Sequence, residues 1–484
     1  VPFPVDGNRS RIRLGLLDLP EEQRVAEFGW DPGTHGHLGL VSGLAGSADA
    51  ALGLIVHQLL DCDEESHVYF LDAAGTFSAA ASHSRAGAVV GLDDLRRSAR
   101  VLQRVSEEMT RRLGDGPTAG RPALVLALCG WGSWVSAFRA GPLAWAEDLV
   151  QDIVRDGARA GITVLVSGER ELVTSRFFAA VPNRIFLPAG STEEGRLAWP
   201  RLPVIGAAAG RVVVFGPISV ASSSSGHVGQ LFGPGAPEGP GGTGPAARSR
   251  PFRVEPLPVQ VSVADVRSRA GHSTARRGGA PLSSTGTPPG LAPPPGHLCL
   301  GVEGDELLPA YVPLPPAAVL AVLGGQAAGK TALLSALPGL NPGACWLRGP
   351  AATEPERWWT GTHEAALAGA LDPAAILLVD DLDLQSPETN NRLLLLNALG
   401  WRVVLTSGFS PNLRLRVPLM QNAVGLGRGV LIAPRALMDG DVFGVRFELE
   451  QNPPPGRAVL ISDGRARAVQ LAFDPAAQSG GRVL

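Results

Sequence analysis

Lysine is almost missing from this chain. Of its 42 Lys and Arg residues a single one, Lys330, is lysine, and the rest are arginine. A GC-rich genome is the simplest cause of that bias. It does not explain where the one survivor sits. Cysteine is scarce as well: Cys62, Cys129, Cys299 and Cys345 form no C-x-x-C pair and no cluster with histidine. That spacing argues against zinc, and the mostly small or apolar neighbours suit buried free thiols in a reducing, cytosolic compartment. No apolar run approaches the ~20 residues of a membrane span, so no membrane contact is expected within this sequence. The opening Val1-Pro2-Phe3-Pro4 has no initiator Met, basic n-region or signal-peptide core. The chain therefore reads as a cytosolic piece of a longer polypeptide, with any membrane anchor lying elsewhere. A basic excess is missing too. The net charge is −3 and the pI about 6.3, which argues against a broad nucleic-acid-binding surface.

What is present is enough for two cores. With 484 residues, 45% of them hydrophobic, the chain exceeds the roughly 250–300 residues at which single cores stop growing. Its middle is rich in Gly, Pro, Ser and Thr from about Ser222 to Gly244 and again from about Ala270 to Gly296. Such composition cannot bury enough apolar surface to order itself. Between these stretches, Phe252 to Val263 roughly alternates apolar and polar residues, as a strand or an extended arm would. The expected division is a module over 1–221, a low-complexity linker with a short extended arm over 222–296, and a second module over 297–484.

The two flanks carry matching apolar runs in the same order. Leu38 to Gly43 pairs with Ala318 to Gly324, Ala123 to Leu128 with Ala375 to Val379, and Ile162 to Gly168 with Trp401 to Gly408. Arg211 to Phe215 pairs with Arg457 to Ile461. Short, β-branched, continuously apolar runs between helical stretches are what buried parallel strands look like. Asp93 to Leu113 has helical spacing, with Leu95, Val101, Leu102, Val105 and Met109 on one face. The first copy holds an extra strand, His67 to Leu71. The fold class expected is α/β: two tandem modules with mainly parallel sheets, duplicates of one unit.

The surviving lysine lies in Gly324-Gly325-Gln326-Ala327-Ala328-Gly329-Lys330-Thr331, which fits the P-loop pattern G-x-x-x-x-G-K-[ST] between a strand-like run and a helical one, so the two units are expected to be tandem P-loop NTPase modules of the RecA/FtsK-like kind. The glycines let backbone N–H groups curl around phosphate oxygens, at the positive end of the following helix. Lys330 would reach the β- and γ-phosphates of ATP, and the Thr331 hydroxyl would ligate Mg²⁺. Ile376 to Val379 then ends in Asp380 and Asp381. Asp380 would hold the Mg²⁺, and Asp381 would orient or deprotonate the attacking water. Many ATPases of this architecture have Glu there, so the shorter Asp381 points to slow hydrolysis. Thr406, with Ser407, ends the next strand, where it would sense the γ-phosphate or, equally, form a plain turn. Arg414 and Arg416 lie in a loop that reads as solvated, with arginine fingers to a neighbouring subunit as the alternative.

The first copy has lost this chemistry. Aligned on Gly43, its loop places Ala48, Asp49 and Ala50 where the second glycine, the lysine and the hydroxyl belong. A carboxylate facing phosphate at close range costs on the order of several kcal/mol. After Leu128, Cys129 and Gly130 stand where acids should. A module that cannot use Mg-ATP is expected.

The segment Gly15-Leu16-Leu17-Asp18-Leu19-Pro20-Glu21-Glu22-Gln23 resembles the lead-in to FtsK/SpoIIIE-class ATPase modules, above all those of actinobacterial EccC-like type VII secretion proteins. Gly301 to Leu307 resembles a later module's lead-in. Pro454-Pro455-Gly456-Arg457 with Val469-Gln470-Leu471-Ala472 is similar to that family's module ending. The resemblance implies two tandem C-terminal modules that bind nucleotide, turn it over poorly, and help recognise secreted substrates or regulate a leading motor. It implies small helical secreted proteins and other secretion-complex subunits as partners, and homo-oligomers as an assembly. The alternatives are a double-stranded DNA translocase, disfavoured by the acidic pI, and a nucleotide-gated scaffold.

Overall fold

A computed structural model describes residues 11–43, 46, 48–116, 121–203, 205, 208–219, 226–233, 249–276, 293–349 and 355–476. The chain divides into two compact units between Val254 and Glu255. Much of the two Gly/Pro/Ser-rich stretches expected as linker lies outside the described residues.

Among the described residues the first unit has one sheet of ten strands: β1 (Ile12–Leu19), β2 (Arg24–Trp30), β3 (Leu38–Ser42), β4 (Ser66–Asp72), β5 (Ala86–Val90), β6 (Ala123–Cys129), β7 (Ile162–Gly168), β8 (Asn183–Leu187), β9 (Arg211–Phe215) and β10 (His227–Leu231). Their order is β2-β1-β10-β9-β8-β3-β7-β6-β4-β5. The second unit has nine: β11 (His297–Glu303), β12 (Leu308–Pro313), β13 (Val319–Gly324), β14 (Trp346–Arg348), β15 (Ile376–Val379), β16 (Arg402–Ser407), β17 (Gly429–Ile432), β18 (Arg457–Ser462) and β19 (Arg465–Leu471). Their order is β12-β11-β19-β18-β17-β13-β16-β15-β14. Apart from β5, the two orders correspond strand for strand. In each sheet a parallel block ends at β8 or β17, and an antiparallel block of four continues from it.

The apolar runs become parallel strands because both faces of those strands are covered. On β13, Val319, Ala321 and Leu323 enter one core, while Leu320 and Val322 enter the other. β15 divides in the same way, Leu377 and Val379 against Ile376 and Leu378. The expected helix runs over Leu95–Asp115, its first turn capped by the Asp94 carboxylate accepting from the Arg97 N–H at 3.1 Å. Val101, Leu102, Val105 and Met109 form its buried stripe.

Three expectations need correction. The extra strand of the first copy is β5, not the run His67 to Leu71: that run is β4, whose counterpart β14 is too short and too polar at Arg348 to show as an apolar run. The span 222–296 is not linker throughout. It contributes β10, which pairs with β1 and β9, and the helix Val263–Arg276, whose Val263, Val266 and Ala270 pack on Cys299, Val302 and Leu340. Tertiary pairing overrides the local Gly/Ser signal there. The run Phe252 to Val263 forms no strand up to Val261 and is an extended arm. Phe252 stacks on Tyr69 at 4.3 Å, and the Tyr69 hydroxyl donates to the Phe252 carbonyl at 2.9 Å.

Candidate nucleotide-binding site

The site lies at the carboxyl ends of β13, β15 and β16, where ligands of open α/β sheets bind. β13 ends at Gly324, and the loop feeds straight into the helix Lys330–Leu340, which is anchored by buried Leu333, Leu334, Leu337 and Leu340. The turn needs left-handed backbone at two places, Ala327 (φ +58°) and Gly329 (φ +102°). Glycine takes the second without penalty. Alanine in the first carries strain of about 1–2 kcal/mol, the kind of cost retained at functional sites.

The residues singled out in the sequence converge. The Thr331 hydroxyl donates to one carboxylate oxygen of Asp380 at 2.6 Å, and the Thr406 hydroxyl donates to the other at 2.6 Å. The Thr406 oxygen in turn accepts the Asp381 N–H at 2.7 Å. Lys330 Nζ donates to the Gly324 carbonyl at 3.2 Å and pairs with an Asp381 carboxylate oxygen at 2.9 Å. Asp381 reaches this position from a left-handed conformation, φ +43°. Ser407 turns away and donates to the Gly408 carbonyl. Arg414 and Arg416 are held by carbonyls of their own unit, Val442 and Asp383 respectively.

A cleft of about 500 Å³ opens over Gln326, Gly329, Lys330, Thr331, Asp381 and Gly408. This volume falls in the range of small-molecule sites. An all-oxygen pair, Thr331 Oγ1 and the Asp380 carboxylate, suits a hard cation such as Mg²⁺, and Lys330 with the loop N–H groups suits phosphate. Sequence reasoning missed a second cavity of about 420 Å³, which shares Gln326 to Gly329 with the first and is also lined by Gln260, Arg435, Pro454 and Phe473. Outside the loop, its traces in the sequence were the Pro454-Pro455-Gly456 run and Gln470 to Ala472, both read only as a module ending.

The first unit keeps the frame and loses the groups. Gly130 follows β6 as Asp381 follows β15. It too is left-handed (φ +80°), and its N–H donates to the hydroxyl of Ser167 on the neighbouring strand at 3.0 Å, as the Asp381 N–H donates to Thr406. Gly130 has no carboxylate, and Cys129 replaces Asp380. Burial, then the charges of Asp72 and Asp49, pushes the Cys129 thiol far above its usual range. Asp49 opens the helix Asp49–Asp61 in the place of Lys330, and its carboxyl is raised by burial and then by Asp72. Gly43 packs so tightly on Ser191 that an added Cβ would come 2.0 Å from the serine Cβ.

No family model matches the chain, and no curated protein does. Solved structures do. The chain is similar to ATPases 2 and 3 of EssC from Geobacillus thermodenitrificans, at 14% identity and TM-score 0.69 over 98% of each chain. It is similar to the cytoplasmic domain of the type VII secretion ATPase EccC of Thermomonospora curvata at 18% identity and TM-score 0.55, over 98% of this chain and 61% of that one. It also matches ATPases 2 and 3 of Thermomonospora curvata EccC in complex with a signal sequence peptide, at 18% identity and TM-score 0.53 over 96% of this chain and 93% of the other. The chain thus has the fold of tandem P-loop ATPase modules, as the resemblance of its lead-ins and endings implied. No helix among the described residues is long and apolar enough to cross a membrane.

Proposed function

We propose that the chain is an ATP-binding, auxiliary part of an EccC-like type VII protein-secretion ATPase, with one live nucleotide site in its second unit. The observation that carries this is the convergence of Lys330, Thr331, Asp380, Asp381 and Thr406 at the ends of three adjacent strands, with Thr331 and Asp380 in direct contact. Lys330 and the loop N–H groups bind and orient the β- and γ-phosphates. Thr331 and Asp380 hold Mg²⁺, which would neutralise phosphate charge. Thr406 keeps Asp380 and the Asp381 backbone in register with the loop. Asp381 is the group that orients water, and its engagement with Lys330 supports slow turnover.

The first unit is proposed as a pseudo-ATPase. Asp49, Cys129 and Gly130 replace the three groups that would hold phosphate, metal and water, while the frame around Ser167 is retained. The signal-peptide complex of the Thermomonospora curvata modules supports small secreted proteins as partners. We place the chain in the cytosol, as part of a larger secretion assembly. Titration calorimetry with Mg-ATP, on this chain and on Lys330→Ala, tests the reading. One nucleotide per chain, lost in the variant and slowly hydrolysed, is the expected result. Two nucleotides bound would overturn the assignment of the first unit. Fast turnover stimulated by DNA would replace secretion with DNA translocation.

A further inference from the structure

The cavity beside the phosphate loop has a wall that does not belong to the module's sheet. Gln260 lies on the extended arm by which the chain enters the second unit, and that arm is pinned on both sides of it. Arg457 donates to the carbonyls of Leu257 and Pro258 at 3.2 and 3.4 Å. The Phe473 N–H donates to the Val261 carbonyl at 3.0 Å, and the Val263 N–H donates to the Phe473 carbonyl at 3.1 Å. Val261 and Val263 are buried, whereas Gln260 is exposed at the cavity. The arm therefore holds the Gln260 backbone still and leaves its carboxamide free to meet a ligand.

We propose that this cavity seats the base of the nucleotide, that Gln260 reads it as adenine, and that the bound base thereby fastens the arm to the module. The proposal rests on Lys330 and Thr331 being the phosphate ligands. Gln326 to Gly329 line both cavities, so a ligand with its phosphates in one has its nucleoside beside the other. Phe473, partly exposed, offers an aromatic face, and Pro454 with Pro455 offers apolar edges, which suits a flat heterocycle. A carboxamide carries one donor side and one acceptor side, matching the donor and acceptor on adenine's N6/N7 edge. Guanine presents two acceptors there and calls for two donors. Because Phe473 is bonded to the arm through both its N–H and its carbonyl, a base resting on Phe473 and Gln260 bridges two segments that hold one another.

The test compares Mg-ATP, Mg-GTP and Mg-tripolyphosphate, the last having phosphates but no base, by calorimetry on the whole chain, Gln260→Ala and Lys330→Ala. Amide hydrogen exchange is followed at Val263 and Phe473. Gln260→Ala is expected to weaken Mg-ATP roughly tenfold while leaving Mg-tripolyphosphate unchanged. Mg-ATP should slow exchange at the two amides, Mg-tripolyphosphate should not, and Mg-GTP should bind more weakly than Mg-ATP. Unchanged Mg-ATP affinity in Gln260→Ala, equal affinity for Mg-GTP, or equal protection by Mg-tripolyphosphate would overturn the proposal. Lys330→Ala separates the two levels: losing ATP and tripolyphosphate together upholds the phosphate site, and keeping both overturns that site and this inference with it.

Discussion

The ammonium of Lys330 stands 2.9 Å from the carboxylate of Asp381, so the cation proposed to bind phosphate is matched within the protein by the acid proposed to orient water. On the function proposed above, a phosphate group arriving at Lys330 would compete with that carboxylate for the ammonium, and the released acid would then meet the γ-phosphate's attacking water. One contact would then tie affinity to turnover.

Asp381→Asn is accordingly expected to tighten Mg-ATP binding while reducing hydrolysis to background. The pair is partly solvated on the Asp381 side, so its removal is worth about 0.2–1 kcal/mol, or up to roughly fivefold in affinity. Calorimetry and phosphate release on the same variant read both effects. Weaker binding would show that Asp381 does not compete with phosphate.

Thr406 joins two acids through one hydroxyl and is fully buried. Thr406→Val deprives the Asp381 N–H and one Asp380 oxygen of their partner, costing about 1–3 kcal/mol of stability. It should also raise the Mg²⁺ concentration needed for nucleotide binding. Thr406→Ser keeps the hydroxyl and should recover most of both. Denaturant melts and Mg²⁺ titrations of the two variants give the comparison.

Restoring a lysine to the first unit should not restore its site. In Asp49→Lys the ammonium returns, yet Cys129 and Gly130 still lack the carboxylates, Ala50 lacks the hydroxyl, and Ser191 still sits against Gly43. Nucleotide stoichiometry is expected to stay at one per chain by calorimetry. A second bound nucleotide would show that Asp49 alone silences the unit.

His37 couples the first unit's stability to pH. Its ring is buried; one nitrogen accepts the Val164 N–H at 2.9 Å, so the other donates to the Val154 carbonyl at 2.9 Å. Burial lowers its pKa below the ordinary 6.5. The unfolded chain therefore takes up a proton first as pH falls. Stability is complete above about pH 6.5 and is lost as pH drops from there toward the folded value. His67, lowered by burial in the same way, adds to the slope. Unfolding free energies between pH 8 and 5 should show this fall, and His37→Gln should flatten it.

How much was legible in advance depended on how local each signal was. Eight consecutive residues, Gly324 to Thr331, specify a loop whose expected phosphate-binding groups are mostly its own backbone N–H groups, so the motif could be read without a fold. Buried strands announced themselves as apolar runs because both faces are covered. β8 and β17 went unread, since Asn183 and Arg184 open one and leave only three apolar residues, and the other spans only Gly429–Ile432. β10 lay hidden in Gly/Ser-rich sequence because its place is decided by pairing with β1 and β9, not by its own propensity.

The sequence alone determined that one unit carries a lysine and two acids and that the other carries Asp49, Cys129 and Gly130 in their stead. Side-chain chemistry is a property of the residue, and no fold can supply a missing ammonium or carboxylate. Only the tertiary structure decided what each group meets. Thr331 and Asp380 are 49 positions apart and touch because β13 and β15 flank β16 in one parallel register. Gln260 faces the phosphate loop because Phe473, more than two hundred positions later, holds its arm in place. Such contacts are set by long-range strand pairing and packing, whose energies are shared among many residues and written in no single stretch of chain.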